Sequence, residues 1–225
     1  MNKETIERKL NDIFDSYANK FKNCNLNRIN ERRFVYAVPE KSEILITGIN
    51  PSHSEKYTDH PNHYTLKDAS NRYFTMLRRV LPFEKNVHIS YLDLFYFKNT
   101  EQAILNAYKK ERDGLTFLAE QLNLTQHIIE WIAPKLILVM NKGSWGFWGK
   151  EKNCTWMGYE FELEDDTLEF GQLHKITGIR NDNDSIAHEI EVTSLIGTRV
   201  YFSRHLNRVK NETLEKIRLE VASIS

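Results

Sequence analysis

Four short stretches rich in apolar residues punctuate a largely polar chain: Ile44 to Ile49, Val87 to Leu94, Leu136 to Met140 and Arg199 to Ser203. In the first, Ile44, Leu45 and Ile46 are consecutive, a pattern that fits a strand buried on both faces of a parallel sheet better than a strand with one solvated face. Leu136 to Met140 repeats that pattern. The segments between them have helical character. Asn71 to Val80 reads as a helix closed by Pro82, and from Thr100, a helix cap followed by Glu101 and Gln102, the chain reads mostly helical to Ile132. Leu115, Leu118, Leu122, Ile129 and Ile132 give its second half an apolar stripe, and Pro134 ends it. Strand, crossover helix, strand is the pattern of a parallel sheet.

The remaining elements fit around that core. Ile6, Leu10, Ile13, Phe14, Tyr17, Ala18 and Phe21 recur at helical spacing, predicting an amphipathic N-terminal helix over residues 4–22. Phe34 to Val38 reads as a short edge strand. Residues 154–194 break the rhythm: Tyr159, Phe161 and Leu163 alternate with Glu160, Glu162 and Glu164, and Leu168 and Phe170 alternate again beyond Asp165-Asp166. That predicts an antiparallel hairpin, inserted in the domain or extending it sideways. Val209, Leu214, Ile217 and Val221 place a closing helix on the sheet. The expected fold is α/β: one domain over 1–225, a three-layer α/β/α sandwich with a mostly parallel four-stranded central sheet and an antiparallel β insertion.

Composition narrows the class. A chain of 225 residues with 40% apolar and 28% charged content is long enough for one sizeable core and is not of low complexity. The opening MNKETIERKL lacks an apolar signal core, and no apolar run approaches the roughly 18 residues of a membrane span, so a cytoplasmic, membrane-free monomer is expected. Cys24 and Cys154 are too few for a disulfide framework or a four-cysteine iron-sulfur cluster. The 31 basic residues balance the 31 acidic ones, so the chain as a whole does not advertise a grip on long nucleic acid. Charge is nonetheless uneven: Arg199, Arg204, His205, Arg208 and Lys210 follow a cluster of Glu160, Glu162, Glu164, Asp165 and Asp166.

Candidate chemistry gathers where the strands end. After Ile44 to Ile46, Gly48 allows close approach to a ligand and Pro51 fixes a turn that holds Asn50 extended, delivering one polar side chain to the mouth of the sheet. The Pro51 to Ser70 loop is long for a compact domain and carries His53, Asp59, His60 and His63. Their spacing does not make a metal site, and no cofactor is expected. Asn141, Lys142 and Ser144 follow the third strand, where α/β sheets bind ligands. Trp145, Phe147 and Trp148 beside Gly143, Gly146 and Gly149 are either buried anchors or a stacking platform.

Gly48-Ile49-Asn50-Pro51 followed by Asn71-Arg72-Tyr73-Phe74 resembles the first active-site motif and the helix-opening motif of the uracil-DNA glycosylase superfamily, closest to its mismatch-specific branch. The resemblance runs in element order from about Val35 to the C-terminus. It implies hydrolysis of the N-glycosidic bond of a base flipped out of DNA. Asn50 would position water, Tyr73 or Phe74 would stack on the base, and Asn71 would lie near it. Backbone amides of Ile49 and the Pro51-Ser52 turn would face base carbonyls. Stacking on an aromatic face is worth roughly 1 to 3 kcal/mol per base. The third motif departs from the family: Phe202-Ser203-Arg204-His205-Leu206-Asn207-Arg208 has no proline, Leu206 falls at the wedge position, Arg208 matches a basic residue, and His205 is the group left to meet a departing base anion.

The expected partner is therefore DNA or a nucleotide-like ligand, with Ser52, Lys142, Ser144, Arg204, Leu206 and Arg208 on the nucleic-acid side. Neutral charge and the altered third motif keep two alternatives open: a non-catalytic binder of nucleic acid or nucleotide on the same fold, and an enzyme acting on a free nucleotide.

Overall fold

The computed structural model describes residues 1–53, 61–67, 72–81, 87–151, 156–180, 187, 189–206 and 209–225. Two helices open the chain, α1 (Lys3–Ser16) and α2 (Cys24–Glu31), followed by β1 (Tyr36–Ala37), β2 (Ile44–Gly48), β3 (His63–Tyr64), α3 (Arg72–Val80) and β4 (Ile89–Asp93). Next come α4 (Ile104–Tyr108), α5 (Arg112–Ile132), β5 (Leu136–Val139), one 3₁₀ turn (Lys142–Ser144), α6 (Trp145–Trp148), β6 (Tyr159–Asp165), β7 (Gly171–Ile179), β8 (Arg199–Ser203) and α7 (Asn211–Ile224).

The main sheet is six-stranded and mixed, in the order β4-β2-β5-β8-β7-β6. Its first four strands run parallel, with Ile44 beside Ile89 on one side and Leu136 on the other, and Leu136 beside Arg199. The four parallel strands are thus part of a larger mixed sheet of six strands, not a four-stranded central sheet. The predicted hairpin joins the same sheet through β7, which runs antiparallel to β8 with Gly171 opposite Ser203. It is a lateral extension that covers β8 and moves the edge of the sheet to β6, where exposed Glu160, Glu162 and Glu164 supply the charge that protects an edge strand. Every residue of β2 and β5 is buried, as continuous apolar runs require.

Three further expectations change. The N-terminal helix stops at Ser16 instead of running to residue 22: Asn19 takes a left-handed backbone (φ 58°), and Asn23 starts a new helix by capping Asn25 N–H. The helix expected from Thr100 is broken at Glu111, which is extended and accepts the Lys22 and Asn23 amides with its carboxylate. Phe34 to Val38 contributes only Tyr36–Ala37, paired parallel with His63–Tyr64 in a separate two-stranded sheet.

The connections single out one end of the sheet. From β2 the chain passes through α3 to β4 on one side, then through α5 back across β2 to β5. The strand order therefore reverses between β2 and β5, and open α/β sheets hold ligands outside the carboxyl ends of the strands at such a reversal. Side chains alternate across β8: the Tyr201 hydroxyl donates to Glu220 on α7, whereas Phe202 meets Trp145 of α6. Helix α3 packs on α7, while α5 packs on α1 and α4.

Candidate functional site

The turn after β2 is fastened to the chain after β4. Leu94 N–H donates to Gly48 O (3.1 Å), Phe95 N–H to Ile49 O (2.8 Å) and Asn99 N–H to Pro51 O (2.9 Å). The Asn50 carboxamide is held within this zipper: Nδ2 donates to Asn99 O at 2.6 Å and to Pro51 O at 3.0 Å. Both partners are carbonyls, so only the amide nitrogen can face them and the orientation is fixed. Oδ1 is left as a buried acceptor with no partner among the described atoms. Beside it, a Cβ on Gly143 would lie 3.3 Å from Ile49 Cδ1, so the turns after β2 and β5 touch at the reversal point.

A buried carboxylate lies next to Gly48. Asp93, at the end of β4 and 3% exposed, accepts Tyr91 O–H on Oδ1 (2.8 Å) and Tyr64 O–H on Oδ2 (2.7 Å). Burial raises its pKa from 3.8 to about 6, against the lowering effect of the two tyrosine bonds. The tyrosine pKa values rise as well, through burial first and then the Asp93 charge. Gly48 is required by this arrangement, because a Cβ there would sit 1.9 Å from the Tyr91 hydroxyl and 2.3 Å from Asp93 Oδ1.

The cluster continues toward the last strand. The Tyr91 ring meets that of Tyr73 edge-on with centroids 6.3 Å apart, and the Tyr73 ring stacks on His205 with centroids 5.5 Å apart and planes at 30°. The residues singled out after β2, at the start of α3 and after β8 are therefore linked through Gly48, Tyr91, Tyr73 and His205. Burial lowers the His205 pKa below 6.5, so near neutrality its imidazole is uncharged and can offer a base anion a hydrogen bond but not a positive charge.

Other sequence candidates divide clearly. Ser52, Lys142 and Arg204 are exposed, while Pro51 and Ile49 are buried in the turn. Phe74 is 5% exposed and packs edge-on against Tyr64 and Tyr91, which leaves half-buried Tyr73 as the ring near the site surface. Leu206, expected as a wedge, is 1% exposed and belongs to the core. Ser144, expected on the nucleic-acid side, is wholly buried and donates to Asn141 O at 2.7 Å, a local cap that satisfies the turn. Asn71 and Arg208 lie outside the described residues, as do Asp59, His60 and Cys154. His63 is turned to Lys3 (3.1 Å) and Asn62, and among the described residues no group of three His, Cys, Asp or Glu converges as a metal site. No described helix is long and apolar enough to cross a membrane.

Sequence reasoning missed Tyr64 and Tyr91. Tyr91 was accessible, since strand alternation puts it on the same face as Asp93; Tyr64 arrives from a separate strand and left no local signal. A cavity of about 420 Å³, lined by Val38, Glu40, Leu66, Arg78, Ser90 and Tyr91 among others, lies along the outer edge of β4. It shares Tyr91 with the Asp93 cluster, whereas Asn50 and His205 do not line it. The sequence matches no family model and no curated protein.

Proposed function

We propose that this protein is a glycosylase of the uracil-DNA glycosylase type, built on a three-layer α/β/α sandwich, that hydrolyses the N-glycosidic bond of a flipped-out uracil or other modified base. The observation that carries the reading is the convergence of three chain-distant segments: the Gly48 turn, Tyr73 and His205, joined through Tyr91. In the reaction the glycosidic bond breaks with its electron pair going to the base, water adds its oxygen to C1′, and the proton released ends on the base. Asn50 Oδ1 receives an O–H of that water. Being neutral, asparagine orients water without removing its proton, so the rate rests on positioning and on stabilising the separating charges. Tyr73 supplies an aromatic face, and neutral His205 donates a hydrogen bond to the departing base.

A second reading, a binder of nucleic acid or nucleotide without chemistry, is favoured by the burial of Leu206, which removes the wedge that would hold the duplex open. Base release from oligonucleotides carrying uracil, hypoxanthine, xanthine or mismatched thymine, with wild type and Asn50→Ala side by side, separates the two. Release that Asn50→Ala abolishes is expected; binding with no release from any substrate selects the second reading.

A further inference from the structure

On the face of the sheet that carries α6, two lysines converge on one indole. The Lys150 ammonium lies 4.2 Å from the Trp145 ring centre and 4.8 Å from that of Phe202, and the Lys142 ammonium lies 5.6 Å from Trp145. Lys150 also donates to Gln172 Oε1 at 2.6 Å, at the start of β7 where Gln172 stands opposite Phe202. Neither lysine forms an ion pair with a described carboxylate. Burial lowers the Lys150 pKa to about 8, with Glu151 opposing and Lys142 adding to the fall. The Trp145 Nε1–H is buried without an acceptor among the described atoms.

Lysine stems often lie over aromatic rings simply to cover them, with the charged head spread into water. Here two heads of the same sign lie over one ring, and the Glu151 charge offsets only part of that concentration of positive charge, which leaves an aromatic surface suited to an anion. Between them in sequence, Gly143 packs against Ile49, so the cluster adjoins the Asn50 turn. A flat-faced anion that lies on the indole and continues toward the adjoining Asn50 turn fits this surface. An unstacked nucleotide strand is such an anion.

We propose that Lys142, Lys150 and Trp145 form a phosphodiester subsite for single-stranded nucleic acid beside the base pocket, a proposal that rests on the reading of this chain as acting on a nucleic-acid base. The test is fluorescence anisotropy with a labelled single-stranded oligodeoxynucleotide lacking any modified base, measured across a salt series. Lys150→Met keeps an apolar stem over Trp145 and Phe202, Lys150→Arg keeps the charge, and Lys142→Ala and Trp145→Phe complete the set; thermal unfolding identifies variants that keep their fold. Expected are binding about fivefold or more weaker in Lys150→Met and Lys142→Ala near 0.1 M salt, and a slope of log K against log salt reduced by about 0.7 for each lysine removed. Lys150→Arg restores binding, and Trp145→Phe weakens it. Folded lysine variants with unchanged affinity and salt slope overturn the proposal. So does a nucleoside monophosphate that displaces the strand at equal phosphate concentration, which would mark a site for free nucleotide. Absence of base release together with an intact lysine effect would remove the glycosylase reading and leave this subsite standing.

Discussion

Asp93→Asn asks whether a buried carboxylate is retained at the expense of stability. The side chain is 3% exposed, and its pKa rises from 3.8 to about 6. That rise corresponds to about 3 kcal/mol of preference for the protonated form in the folded state. Because the folded pKa lies above the unfolded one, the folded protein holds more protons between about pH 4 and pH 6. The Asp93 contribution therefore favours folding at low pH and is lost as pH rises through 6. Asparagine does not titrate. It accepts from one of Tyr64 and Tyr91 through Oδ1 and can only donate to the other, forfeiting about 1 to 2 kcal/mol of charge-assisted bonding. Urea unfolding followed by tryptophan fluorescence, on both proteins from pH 4 to pH 7.5, isolates Asp93 by difference from the remaining carboxylates and histidines. Expected is a gain of about 3 kcal/mol for Asp93→Asn relative to wild type between pH 4 and pH 7, leaving the variant at least as stable as wild type at pH 7. A difference that stays constant across pH would refute the reasoning, since it would mean that Asp93 titrates alike in the folded and unfolded chains.

Two further substitutions test the packing that shapes the site. Gly48→Ala drives a methyl group to 1.9 Å from the Tyr91 hydroxyl and is expected to destabilise the protein by about 3 to 5 kcal/mol through overpacking and the broken Tyr91–Asp93 bond, read as a lower urea midpoint. A loss below about 1 kcal/mol would contradict that crowding. Glu130 holds Tyr159 O–H (3.0 Å), Thr193 O–H (2.5 Å) and the Ser194 amide and hydroxyl, tying the segment before β8 to α5. Glu130→Ala strands the buried Tyr159 hydroxyl and is expected to cost about 2 to 4 kcal/mol in the same measurement, whereas an unchanged midpoint would show that these bonds contribute no net stability.

The parts of this fold legible in the sequence were those encoded by local pattern. Consecutive apolar residues at Ile44 to Ile46 and Leu136 to Val139 marked strands buried on both faces, and the stripe from Leu115 to Ile132 marked α5. Long-range pairing was not legible. Nothing near Gly171 says that it will stand opposite Ser203, so the hairpin could be placed as a unit but not joined to the sheet. Likewise the break before α5 depends on Glu111 capturing the amides of Lys22 and Asn23 from far along the chain. At the site, Gly48 and Asn50 stood out because their turn chemistry is local, whereas Tyr73 stood out through the resemblance of Asn71-Arg72-Tyr73-Phe74 to a family motif. The direction in which Leu206 and Ser144 point is set by packing, and both turned inward. The Tyr64–Asp93–Tyr91 cluster was half legible, since alternation pairs Tyr91 with Asp93 while Tyr64 comes from another sheet.

These features share one end of the parallel strands, and the chemistry assigned to them depends on a single side chain. Asn50 has its amide nitrogen fixed by two carbonyls and its oxygen buried without a partner among the described atoms, and that oxygen is the acceptor to which the proposed reaction assigns the water. The most direct test is single-turnover base release from single- and double-stranded oligonucleotides containing uracil, hypoxanthine, xanthine or mismatched thymine. Release by the wild-type protein from at least one substrate, abolished in a folded Asn50→Ala variant that still binds the oligonucleotide, is the expected result. Release that survives in Asn50→Ala, or none from any substrate, would contradict the assignment of Asn50 as the water-positioning residue of a glycosylase.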